Sequence, residues 1–104
     1  MKEIPVIPAI WIKNYIIPTI AKEYGLQHQP KNIQEGIVLC GWRHGAIIQM
    51  VCIITAKPIW KFDNVRGFVT NCNRFVDREE ALKLHIAAGK TAMSNKELYS
   101  EDLY

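Results

Sequence analysis

The sequence has no apolar run long enough to cross a bilayer. Its longest strongly apolar stretch, residues 46–56, falls well short of the ~20 residues that a spanning helix needs. The opening Met-Lys-Glu is not followed by the basic-then-apolar pattern of a secretory leader, so the expected location is the cytoplasm, with no membrane partner. Cysteine is scarce and odd in number. Cys40, Cys52 and Cys72 form no C-x-x-C pair, which argues against a disulfide framework and for reduced thiols. Cys40 and Cys52 are expected to be buried, where cysteine behaves as a small apolar residue. Catalytic signatures are also missing: there is no G-x-S-x-G, Walker A, H-E-x-x-H or G-x-G-x-x-G. His28, His44 and His85 are scattered, without metal-ligand spacing to each other or to the cysteines. The expectation is therefore a binding protein, not an enzyme, with no catalytic residues, metal or cofactor. The excess of positive charge is small, +3 with a pI near 8.8. It favours anionic ligands but lacks the Lys/Arg clustering of a duplex nucleic-acid binder.

No repeat, low-complexity run or linker divides the 104 residues, so a single domain over 1–104 is expected. The composition, 49% apolar and 22% charged, is that of a folded chain able to bury a modest core. Residues 4–12 are β-branched and carry Trp11, but Pro5 and Pro8 point to an edge strand or to one that begins after Pro8. Residues 15–24 are ambiguous and compatible with a helix stopped by Gly25. Residues 26–35 read as a loop. Residues 36–41, an apolar run between two glycines, read as a buried strand. Residues 46–56 follow, with Ile47, Val51 and Ile54 spaced i, i+4, i+7. They read as a buried helix ending before Pro58, although the β-branched content leaves a strand open. Residues 57–66 read as an aromatic loop, 67–70 as a strand, and 71–73 as a turn.

The clearest element comes next. Asp77 is a good N-cap with Glu80 three residues on; Ala81, Leu84 and Ala88 share a face broadened by Leu82 and Ile86; Gly89 suits the position after the helix. The tail beyond is polar, and Ser100-Glu101-Asp102 suggests a docking segment at a subunit contact. Together these elements predict an α+β fold: a small antiparallel or mixed β-sheet packed against two main α-helices.

Arg74-Phe75-Val76-Asp77-Arg78 carries the most chemistry. Two arginines flank a helix start, where free N–H groups and the helix dipole favour an anion. Each guanidinium presents a planar fork that matches phosphate. Phe75 between them offers a surface on which a base can stack. The same residues have a plainer reading, with Phe75 and Val76 as a hydrophobic staple and Arg78 as a solvated first-turn residue. Trp42-Arg43-His44 is a second cluster, a stacking surface and two donors before another helix. Its plainer reading is a core tryptophan beside surface polar groups.

Arg43-His44, Gly67-Phe-Val-Thr70, Arg74-Phe-Val-Asp-Arg-Glu-Glu-Ala81 and Leu98-Tyr-Ser-Glu-Asp-Leu103, in that order, resemble a family of small phage proteins, the Tad-one family of Thoeris anti-defence proteins. The resemblance covers mainly residues 36–104. It implies a sponge that binds glycocyclic ADP-ribose signals in the host cytoplasm without degrading them and so blocks Thoeris defence. It also implies a homodimer or hexamer with pockets at subunit contacts, some members also taking CBASS cyclic di- or trinucleotides. The family's arginine pair falls on Arg74 and Arg78. Its pocket aromatic and asparagine have Trp60, Asn64 and Asn71 as candidates. The expected ligand-binding set is therefore Arg74, Arg78, Phe75, Arg43, His44, Trp42 and Asn71. The rival readings are a protein–protein inhibitor of a host defence factor, anchored by Trp60 and Phe62, and a small nucleotide-processing enzyme.

Overall fold

A computed structural model describes residues 2–15, 23 and 29–103. It contains strands β1 (Pro5–Ile12), β2 (Ile37–Cys40), β3 (Asn64–Thr70) and β4 (Phe75–Asp77), and helices α1 (His44–Thr55) and α2 (Arg78–Ala87). Short 3₁₀ turns occupy Ile59–Lys61 and Ser100–Asp102. The strands form one antiparallel sheet in the order β2-β1-β3-β4. The fold is α+β, a four-stranded antiparallel sheet packed with two helices. The helix expected over residues 15–24 lies almost wholly outside the described residues.

β1 is central, not an edge strand, and its prolines are still explained. β2 pairs only with Ala9–Ile12, so the half of β1 that carries Pro5 and Pro8 has a single neighbour, β3. Prolines deprived of a ladder donor sit where no second ladder exists. The register shifts between Pro5 and Ile7, leaving Val6 as a bulge.

Register sets the two faces. Pro8 pairs with Phe68, Ile10 with Arg66 and with Leu39, and Ile12 with Ile37, so these side chains share one face. Both helices pack on it. Ile10 and Ile12 bury against Ile47 and Val51 of α1, with Ile59 closing the cluster. Phe68 and Val76 bury against Ala81 and Leu82 of α2 and against Leu98 of the tail. On the other face the ring of Phe75 meets Trp11 edge-on, centroids 6.0 Å apart. Both sheet edges are blocked from one short segment. The Val38 N–H donates to Gln29 Oε1 at 2.7 Å, and the Asn32 amide both accepts from Phe75 N–H and donates to Phe75 C=O. Side-chain amides thus occupy backbone groups that would otherwise invite another strand.

Several expectations need correction. β2 is half-buried, not buried, because it is itself an edge. Cys40, its last residue, is exposed, as is Cys52, one position beyond the buried Val51 on α1. α1 is confirmed as a helix, but Ile53 and Ile54 are 81% and 77% exposed. Its packed face is His44, Ile47 and Val51, and Ile54 only rims a small apolar hollow of ~70 Å³ with Ile12 and Tyr15. β3 begins at Asn64, so residues 64–66 are strand and not loop. On α2 the buried residues are Ala81, Leu82 and His85, while Leu84 is only half-buried and Ile86 is exposed. His85 turns inward because its Nε2 bonds Thr91 C=O at 3.0 Å, where the chain folds back after Gly89. The tail is no free arm: Leu98 is fully buried and Ser100 nearly so. Leu98→Ala should cost about 2–5 kcal/mol, the range for a buried leucine whose cavity cannot fully collapse, measurable by denaturant melting.

The N-terminus is also strapped down. Arg74 grips Glu3 with two 2.8 Å bonds and reaches Glu80 at 3.1 Å. This fork holds the Glu3 carboxyl at about 2. The His44 imidazole, by contrast, is held below its ordinary value chiefly by burial. Both shifts make the unfolded chain bind more protons than the folded one, so stability must fall with pH. Thermal melts are expected to weaken first as pH drops below about 6.5, where unfolded His44 charges, and again between about 4.5 and 2 as Glu3 protonates. Glu3→Gln should remove the lower-pH part alone.

Candidate anion-binding cleft

Asp77 ends β4 and caps α2, its Oδ1 accepting from Glu80 N–H at 2.8 Å. Arg78 is therefore the first residue of α2, as the capping pattern predicts. The tail then fixes its surroundings. Leu98 N–H donates to Arg78 C=O at 2.9 Å, and burial of the Leu98 side chain sets Glu97 and Tyr99 to either side. The Arg78 guanidinium makes a single 3.4 Å ion pair with Glu97 and lies 5.8 Å from the Tyr99 ring centroid. One residue further along, Ser100 C=O accepts from Arg43 at 2.9 Å. Arg43 in turn stacks on Trp42 at 4.4 Å, and Trp42 is 63% exposed. The tail thus connects the starts of the two helices.

His44 lies beneath. It is buried, meets Phe68 edge-on and bonds Gly67 C=O at 2.8 Å. A carbonyl only accepts, so Nε2 carries the proton. The charges that act on this ring are Arg78 and Arg66, which oppose its protonation, and Glu101, which favours it. Arg66 and Arg78 also line one open depression of ~230 Å³ with Asn64, Val65, Asp77, Glu79 and Glu97. The Arg66 side chain makes no hydrogen bond or ion pair with any described residue. Arg66 of β3 and Arg78 of α2 therefore share one depression, with Glu97 of the tail on its wall, and Arg43 meets the same tail three residues further on, at Ser100. An oxyanion there would meet guanidinium forks and the N-terminal dipole of α2.

The candidates from the sequence separate. Of the expected ligand-binding set, Arg78 alone lines the depression; His44 is buried within reach of the Arg78 charge, and Arg43, stacked on Trp42, is joined to the same tail through Ser100 C=O. Arg74 does not join them; Glu3 and Glu80 already occupy its fork. Phe75 is buried against Trp11, so its ring offers no face to a base. Asn71 ties down the N-terminus, accepting from Ile4 N–H and donating to Lys2 C=O. Asn64 holds the 3₁₀ turn through the carbonyls of Ile59 and Phe62. Trp60 is 77% exposed on that turn. Arg66 and Tyr99 are the residues that the sequence reasoning missed as site residues. Arg66 lacks any local signal, because only strand register brings it beside Arg78. Tyr99 stands within the Leu98–Leu103 motif, but its role depends on the burial of Leu98. No group of three His, Cys, Asp or Glu placed to hold a metal occurs among the described residues. No helix among them is long and apolar enough to cross a membrane.

No curated protein and no solved structure matches the chain. A family model does match, that described as Phage T4 y16D protein, over residues 16–104. That span takes in the segment before residue 36 as well as α1, α2 and the tail, and the chain belongs to the phage T4 y16D protein family.

Proposed function

We propose that this phage-family protein binds a pyrophosphate-bearing cyclic nucleotide, of the glycocyclic ADP-ribose class, and holds it without turnover. Sequestration of such a signal would block Thoeris defence in the host cytoplasm. The observation that supports this reading best is the pairing of Arg66 and Arg78 in one depression at the start of α2. A cyclic nucleotide offers phosphate charge to Arg66 and Arg78 and flat ring faces to Trp42 and Tyr99. Holding such a ligand needs oriented donors, which Arg66 and Arg78 supply, and stacking surfaces, for which Tyr99 beside Arg78 and Trp42 beside Arg43 stand outside the depression, and no general base.

The ~230 Å³ depression is smaller than the roughly 300–1,000 Å³ typical of ligand sites, so a second copy is required to enclose the ligand. Native mass spectrometry tests both points together. With a glycocyclic ADP-ribose mixture, the expected species is a homodimer or a multiple of it, built from 12.0 kDa chains and carrying nucleotide. A monomer with no adduct would contradict the reading. The exposure of Ile53, Ile54 and Trp60 favours a second reading, an inhibitor that docks on a host protein through this apolar surface. In that case the chain binds no nucleotide, and substitution of Trp60 abolishes its anti-defence effect.

A further inference from the structure

A second cavity lies away from the arginine cleft. The turn after β1 (Asn14), the residues just past α1 (Ala56, Lys57, Pro58) and the 3₁₀ turn (Lys61, Phe62) wall an open cavity of ~630 Å³. This volume falls within the range of small-molecule sites, unlike that of the arginine cleft. Lys57 and Lys61 are exposed, and neither ammonium has an ion-pair or hydrogen-bond partner among the described residues. Lys13 lies next to Asn14 in the chain, its backbone N–H donating to Asp63 C=O. Asp63 is the acid nearest in sequence to Lys57 and Lys61, while the Lys13 ammonium lies over the Trp11 ring at 5.1 Å.

The carbonyls at the end of α1 do not use up the two lysines. Ala56 N–H satisfies Cys52 C=O, and the Thr55 hydroxyl satisfies Val51 C=O at 2.6 Å. The opposite wall is less polar: Phe62 is half-buried, and Pro58 and Ala56 complete it. Asn14 Oδ1 accepts from Asp63 N–H at 3.2 Å, which fixes the amide at the rim. Its NH₂ group is then a fixed donor at the same rim.

We infer that this cavity is a second ligand site, which takes a phosphomonoester carried on a flat ring, the chemistry of a nucleoside monophosphate. Lys57 and Lys61 meet the phosphate as point charges, the Asn14 amide adds a donor, and Phe62 and Pro58 cover the ring. The site is independent of the arginine cleft and does not rest on the sponge reading.

The test uses adenosine monophosphate, adenosine and inorganic phosphate as separate probes, followed by amide NMR titration of the full chain. The monophosphate should bind saturably and shift the amides of Asn14, Lys57, Lys61 and Phe62. Adenosine and phosphate alone should each bind more weakly. The K57A/K61A variant should lose about tenfold or more in affinity, since exposed ammoniums meet phosphate as screened point charges without a guanidinium's fork. Both lysines are exposed, so this variant should melt as the parent does. In the R66A/R78A variant the saturable shifts at Asn14, Lys57, Lys61 and Phe62 should persist. The proposal is overturned by an absence of saturable binding, by phosphate binding as tightly as the monophosphate, or by shifts confined to the arginine cleft and lost in R66A/R78A.

Discussion

Gly67→Ala is expected to cost about 3 kcal/mol or more, at or beyond the upper end for overpacking a core. A Cβ at Gly67 would sit 2.0 Å from the Val76 carbonyl oxygen and 2.9 Å from Phe75 Cζ. The first of these neighbours is backbone and cannot swing away. Relief requires β4 to peel from β3, and β4 has only three residues with which to resist. For a domain of this size such a loss should lower the melting midpoint by more than about 10 °C. The site should suffer with the fold. Gly67 C=O holds His44, and Asp77, its partner across the strands, caps α2 beneath Arg78. Thermal melting by circular dichroism reads the effect, and a variant that melts as the parent does would mean that the β3–β4 contact is not as close as described.

Gly67 also shows where sequence reasoning stops. Gly67-Phe-Val-Thr70 reads as a strand, and it is one. That its glycine is the floor on which Phe75 lies follows only from register. The start of α2 is legible, because an N-cap acts on N–H groups two or three residues away and leaves its mark within one turn. So is the turn at 71–73, where Asn73 takes a φ of 57°. The central place of β1 is not legible, since a strand's neighbours come from elsewhere in the chain. Leu98 looks like one apolar residue in a polar tail. Its complete burial depends on the gap between α2 and Phe68. The arginines divide in the same way. Spacing makes Arg74 and Arg78 equivalent, but Glu3, more than seventy residues upstream of Arg74, makes them different.

Alanine at both Arg66 and Arg78 is expected to weaken nucleotide binding about 100-fold or more, near 3 kcal/mol for two charge-assisted contacts. Arg78→Lys should recover only part of this, because it keeps the charge but loses the fork. Arg66 is exposed, and Arg78 gives up one long ion pair and a distant contact with the Tyr99 ring, so the double variant should melt close to the parent. Arg74→Ala should behave in the opposite way. It frees the N-terminal strap and lowers the melting midpoint, and the protein that remains folded should still bind. Calorimetry paired with melting separates the two. His44 supplies an independent signal. Arg66 and Arg78 both act to keep its ring neutral, so an anion seated between them should raise its pKa, visible by NMR of the imidazole. If the double variant binds as well as the parent, and His44 does not respond to ligand, the nucleotide site is not in this cleft.

The most direct measurement follows what happens to the nucleotide. The purified protein is saturated with glycocyclic ADP-ribose, incubated for hours, freed of unbound ligand and denatured by heat. The supernatant is then read by mass spectrometry. If the chain is a sponge, the cyclic nucleotide returns in stoichiometric amount with its mass and ring unchanged, and the R66A/R78A variant returns almost none. Recovery of a linear or hydrolysed product would make the protein an enzyme. Recovery of no nucleotide from the parent protein would mean that it acts on something else.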